Sequence, residues 1–134
     1  MPRKIIDAVI LDLDNTVFDW FAVWYASFRP LYDAIVAVSG RPVDEVQADI
    51  RRVHQARWTS EYSFLLEELD VLADARARGD IREVFHDAIE RSRQGRDQNL
   101  KLYPSVFPSL WELKRKGAKI VAYTESMGFY RPIG

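Results

Sequence analysis

The sequence predicts an α/β protein with an incomplete parallel core, in which two strands are recognisable and a large all-helical block is inserted after the first. Three observations carry this. Residues 5–14, IIDAVILDLD, form an almost unbroken Val/Ile/Leu run, the habit of a strand buried on both faces of a parallel sheet. From about residue 20 to 98 the apolar period is helical and no convincing strand occurs. Strand signal returns only at 118–123, after a helix closed by basic residues and a glycine. A strand, a long crossover and a helix leading to a parallel strand make a right-handed unit. The expected division is residues 1–19 with 99–134 as partial core, and 20–98 as the helical block.

Composition narrows the function classes. A chain of 134 residues is the size of one ordinary domain, and 48% apolar residues with four Trp suffice for a packed core. A formal net charge of −1 gives no field that would select nucleic acid or an anionic membrane, so neither is expected as a partner. With no cysteine, any metal would have oxygen or imidazole ligands. Basic residues precede the first apolar run, as in a signal peptide, but Asp7 interrupts that run and no small-residue cleavage site follows it. No stretch approaches a membrane span, and a cytoplasmic protein is expected.

The elements follow in order. After the first strand, residues 17–40 read as a helix dense in aromatics, with Pro30 expected to kink or divide it and Ser39-Gly40 to stop it. Its aromatics are expected to be core between helices, with Trp20 and Phe21 lining a substrate cleft because they lie close in sequence to two aspartates. Pro42 opens a second helix with Asp44 and Glu45 in its first turn and Val43, Val46, Ile50 and Val53 on one face. Arg51, Arg52 and Arg57 read as its solvated side. Ser60 is a plausible N-cap for a third helix carrying Tyr62, Leu65, Leu66, Leu69 and Leu72 and ending near Gly79. Asp80 to Glu83 resembles a capping box, followed by a stripe of Ile81, Val84, Phe85, Ala88 and Ile89. Residues 95–101 are polar and read as a connection. A last helix carries Val106, Leu110 and Leu113, with Gly117 at its C-cap. His54 and His86 read as surface or packed helical residues.

The chemistry concentrates where the first strand ends. Side chains alternate along a strand, so Asp12 and Asp14 point to one side, about 6.5–7 Å apart along the backbone. Two carboxylates on one face repel, and burying them is costly unless they are paired or bind a metal. A lone D-x-D could equally be a pair of turn or capping aspartates. Here the string is D-L-D-N-T after a hydrophobic strand, and it resembles the nucleophile motif of the haloacid dehalogenase-like phosphohydrolases, D-x-D-x-T after the first strand of a Rossmann-like core. The end of the last strand, Thr124-Glu125-Ser126, is similar to the second motif of that family, in which a hydroxyl holds the phosphoryl group. Ligands in parallel sheets bind at the carboxyl ends of the strands, where both Asp12 and Thr124 fall.

The resemblance implies a Rossmann-like core under an all-helical cap, and a small phosphorylated substrate. It implies Asp12 as nucleophile forming an aspartyl-phosphate, and Asp14 as general acid and then base. It further implies Mg²⁺ held by the Asp12 side chain and the Asp14 carbonyl. Phosphoryl oxygens would meet backbone N–H groups from Leu13, Asp14 and Asn15, together with Thr124 and Glu125; Thr16 would shape the turn. Dehalogenases of the family lack a carboxylate where Asp14 stands, so phosphatase or phosphotransferase is favoured over dehalogenase. The loop Arg57, Trp58, Thr59 and Ser60 is either a cap loop that selects substrate or a simple inter-helix turn. The family pattern also calls for a basic residue and an acidic pair after Thr124. The ten residues ESMGFYRPIG hold no acidic pair, and Arg131, beside Pro132, is their only basic candidate. The chain is therefore expected to be a piece of a longer hydrolase, weak or inactive by itself. The alternatives are completion by a second copy, as a homodimer through an exposed sheet edge or domain swapping, and a non-catalytic helical interaction module that retains the motif.

Overall fold

The computed structural model describes residues 6–124. In chain order the elements are β1 (Ala8–Asp12), α1 (Trp20–Ser39), α2 (Val43–Arg57), α3 (Leu65–Glu68), a 3-10 turn (Asp70–Leu72), α4 (Ala73–Arg78), α5 (Ile81–Val84), α6 (His86–Asn99), α7 (Val106–Arg115) and β2 (Lys119–Tyr123). The chain is mostly helical and holds a two-stranded parallel sheet. It divides into two compact units, Met1–Ala22 with Leu100–Gly134, and Val23–Asn99. No helix among the described residues is long and apolar enough to cross a membrane.

In the first unit β1 and β2 pair in parallel from Ala8↔Lys119 to Asp12↔Tyr123. The helix before β2 fixes where that strand begins. Gly117, at φ +90°, donates its N–H to the Lys114 carbonyl, and Ala118 donates to that of Leu113, the paired bonds of a Schellman stop. The next residue, Lys119, already donates to the Asp7 carbonyl at 2.9 Å. The expectation that the first strand is buried on both faces fails: Ile10 is 74% exposed and Val121 is 49% exposed. Each strand has a single hydrogen-bonded neighbour among the described residues, so apolar side chains suited to a layered sheet stand open. On α7, Val106, Leu110 and Leu113 are half-buried as the spacing predicts, whereas Phe107 and Trp111 are exposed and stack on each other at 6.3 Å.

The second unit has the hydrophobic core, with Ile35, Val46, Val53, Leu69, Leu72 and Phe85 fully buried. Pro30 does not divide α1, which runs through it for 20 residues. Proline has no N–H, so the carbonyl of Ala26 loses its usual helical donor. Gly95 of α6 lies against that same backbone: a Cβ built on it would stand 2.3 Å from the Ala26 oxygen. One turn away, the hydroxyls of Ser27 and Ser92 meet at 3.0 Å. Residues 95–99 are therefore the end of α6 and not the connection their polarity predicted; their glycine serves the close approach of two helices.

The single leucine-rich helix predicted after Ser60 is broken into α3, the 3-10 turn and α4. Leu69 is extended at ψ 122°, and neighbouring side chains take the backbone groups that the break releases. The Arg76 guanidinium donates to the carbonyls of Leu66 and Leu69, and Arg52 donates to that of Glu68. Asp49, a buried carboxylate on α2, accepts the Val71 N–H at 2.9 Å and pairs with Arg52. Arg52 and Arg57 are thus ion-paired, the latter with Glu68, and not merely solvated. Ser60 caps no helix; Phe64 occupies the N-cap of α3 without a side-chain bond. Asp80 does cap α5, accepting the Arg82 N–H at 2.8 Å. Val43 and Val84, placed on the apolar faces by periodicity, are half exposed.

Replacing Gly95 by Ala should destabilise the chain by about 1–3 kcal/mol or more, because the clash is with backbone that cannot rotate away. Gly79→Ala, where a Cβ meets nothing within 4 Å, should change stability by less than about 0.5 kcal/mol. Urea denaturation of the two variants checks both outcomes.

Candidate functional site

The turn after β1 is closed by its own side chains. Asp12, paired opposite Tyr123 at the end of the sheet, accepts the Leu13 N–H through Oδ1 at 2.9 Å and the Thr16 hydroxyl through Oδ2 at 3.0 Å. The N–H groups of Thr16 and Val17 both donate to the Leu13 carbonyl. Asn15 stands at φ +54°, a left-handed conformation that costs most residues about 1–2 kcal/mol and that asparagine tolerates better. Val17 is buried and its carbonyl accepts the Tyr103 N–H, while Phe18 bridges to both Asp14 and Leu102. The D-L-D-N-T string is therefore a folded turn tied to the chain before α7.

Thr124 follows β2 directly, and its hydroxyl donates to Asp14 Oδ2 at 3.4 Å, a long bond. Parallel pairing thus brings Asp12, Asp14 and Thr124 to one end of one sheet. Asp12 is exposed and Asp14 half-buried, so both carboxylates are accessible to a ligand. One expected donor is engaged: the Leu13 N–H is held by Asp12 and would have to exchange partners to meet a phosphoryl oxygen. Glu125 and Arg131 lie outside the described residues.

Among the described residues no group of three or more His, Cys, Asp or Glu side chains could hold a metal ion. Mg²⁺ does not need such a group, since it is commonly bound through one or two carboxylates and keeps several waters. The all-oxygen set of Asp12 and Asp14 fits a hard cation of that kind.

The remaining candidates divide between the two units. Trp20 and Phe21 open α1 in the unit of the aspartates, Trp20 half-buried and Phe21 exposed. Asp19, which periodicity did not single out, caps this helix by accepting the Ala22 N–H at 2.9 Å. Arg57, Trp58, Thr59 and Ser60 belong to the helical unit. Arg57 stacks over the Tyr62 ring and pairs with Glu68, which holds the Glu68 carboxyl below its ordinary range. Thr59 accepts the Glu61 N–H, and the Ser60 carbonyl accepts the Trp24 indole N–H at 3.1 Å. Trp58 sits at φ +56° and is 94% exposed.

Within the helical unit a cleft of about 540 Å³ opens between α1, α2 and this loop. Trp24 and Phe28, read from sequence as core, form one wall as a parallel stack at 5.1 Å and 12°. His54, on α2, lies 5.8 Å from the Phe28 ring, and its Nε2 is buried without a hydrogen-bond partner among the described residues. Helical spacing places these residues on one face but does not say that the facing surfaces leave a gap. The sequence signal that could have pointed to one is a Trp followed by Thr-Ser in a turn between helices.

No protein family matches the chain, and neither does any of the curated proteins or solved structures compared with it.

Burial pushes the His54 pKa below its ordinary value. The folded chain keeps the ring neutral while the unfolded chain takes up a proton below about pH 6.5. Stability from this group is complete above that pH, falls as pH drops toward the folded-state pKa, and is constant below it. The other titratable groups lining the cleft are Tyr32 and Arg51. Urea unfolding at about pH 7.5 and 5.0 should therefore show a smaller acid loss for His54→Leu than for the parent chain; equal losses would place the acid sensitivity elsewhere.

Proposed function

We propose that the chain carries the phosphoryl-transfer site of a Mg²⁺-dependent phosphohydrolase of the haloacid dehalogenase-like type, acting through an aspartyl-phosphate on a small phosphorylated metabolite. In this reading the paired strands and α7 belong to a Rossmann-like core, and Val23–Asn99 is an all-helical cap. The observation that carries it is the meeting of Asp14 with Thr124 at the carboxyl end of a parallel strand pair whose first member ends in Asp12. That is the end at which parallel sheets bind ligands.

The chemistry balances on these residues. An Asp12 oxygen attacks phosphorus, the bond from phosphorus to the ester oxygen breaks, and protonated Asp14 gives its proton to the leaving alcohol. Water then attacks the acyl-phosphate while Asp14 takes its proton, and inorganic phosphate leaves. The Thr124 hydroxyl holds Asp14 before substrate arrives and would exchange that bond for one to a phosphoryl oxygen. Mg²⁺, bound by Asp12 and Asp14, would supply the positive charge that lets a carboxylate approach a phosphate dianion.

A second reading is an interaction module in which the sheet pairs with a second copy. The open Ile10, Val121 and Tyr123 favour it. Release of phosphate from p-nitrophenyl phosphate separates the two. Hydrolysis that requires Mg²⁺, vanishes in Asp12→Asn and drops by about 100-fold or more in Asp14→Asn supports the phosphohydrolase. A stable dimer without turnover supports the interaction module.

A further inference from the structure

We propose that the cleft of the helical unit is a binding site for a planar aromatic molecule bearing an anionic group, with the ring on Trp24, Phe28 and Trp58 and the anion at Arg51. The site is independent of the chemistry assigned to Asp12.

The platform is built in advance. Trp24, Phe28 and Tyr32 recur every fourth residue on α1 and so share one face. The first two rings are nearly parallel, and the outer ones are anchored: Trp24 by its indole N–H on the Ser60 carbonyl, Tyr32 by Gln47 on its hydroxyl. Rings fixed before a ligand arrives lose little freedom on binding. Offset stacking is the geometry that aromatic rings favour, and a third ring continues it. A cleft of about 540 Å³ lies in the range that small-molecule sites occupy.

Trp58 is a large apolar side chain kept almost wholly in water. It sits moreover in a left-handed conformation that disfavours a bulky residue. Nothing in the helical core requires either feature, since the N–H groups of Trp58 and Thr59 close α2 on the carbonyls of Gln55 and His54 whatever side chain stands there. Both features make sense if the indole covers a ring lying on Trp24 and Phe28.

The charge requirement comes from Arg51. Its neighbours on α2 are engaged, Arg52 with Asp49 and Asp70, Arg57 with Glu68. Arg51 lines the cleft and forms no ion pair among the described residues, and no carboxylate lines the cleft with it. A guanidinium beside aromatic faces suits a carboxylate or phosphate carried by a ring. Gln55 adds a neutral group able to bond a ring heteroatom.

The test is titration of the full chain with indole-3-acetate, followed by ¹H–¹⁵N NMR at the indole N–H signals, with indole and acetate as separate probes. Saturable shifts at Trp24 and Trp58 are expected with a Kd of about 1 mM or below. Arg51→Gln should weaken indole-3-acetate about tenfold and leave indole unchanged. Trp58→Gly relieves the backbone conformation, so it should fold as well as the parent while weakening both ring probes about tenfold. Absence of saturable shifts at these two indoles would overturn the proposal, as would Arg51→Gln or Trp58→Gly binding indole-3-acetate as tightly as the parent chain, or acetate alone producing the same shifts.

Discussion

Two strands far apart in the chain must pair in one register for the candidate site to exist, because Asp14 and Thr124 are 110 residues apart in sequence. A slip of one residue would turn every side chain of β2 to the other face and carry Thr124 away from Asp14. The register is fixed locally at both ends. Before β2, the left-handed Gly117 stops α7, and the N–H of Lys119 finds the Asp7 carbonyl at once. After β1, the chain is turned back by Asn15 and by Asp12 accepting from Leu13 and Thr16. The residues that would act on a substrate are thus the same ones that close the turn, which ties local folding to chemistry.

The helical unit rests on a different kind of constraint. Its leucine-rich middle abandons regular helix at Leu69, and a helix broken beside a core leaves carbonyls and N–H groups without their helical partners. Asp49, Arg52 and Arg76 reach across from other turns and satisfy them. Burying one carboxylate is acceptable because it holds both an arginine and a backbone N–H. Leu65, Leu66, Leu69 and Leu72 all stay buried across the break, although their spacing would also suit one face of an unbroken helix.

What could be read from the sequence was what neighbouring residues decide among themselves. Gly117 at the stop of α7, Asp80 at the cap of α5 and the acidic first turn of α2 are each specified within about four residues. The two aspartates and the strand before them belong to the same class. Long-range contacts were not legible. Gly95 looked like a linker glycine because its reason is the backbone of Ala26 on another helix. Leu69 looked helical because the side chains that compensate its break are far away in sequence. Ile10 looked buried because its residue type suits a sheet interior, and residue type does not report how many strands lie alongside. The cleft was missed for a related reason: Trp24 and Phe28 have the spacing of core residues, and only the facing helix decides whether they pack or leave a gap.

The proposed role of Asp12 as the nucleophile that accepts the phosphoryl group is tested most directly by covalent trapping. The chain is incubated with acetyl phosphate and Mg²⁺, quenched in acid, reduced with borohydride and mapped by peptide mass spectrometry. Phosphorylation of Asp12 leaves homoserine at that position after reduction, and Asp12→Asn yields none. No reduction product at all, or a product confined to another carboxylate, would contradict the assignment.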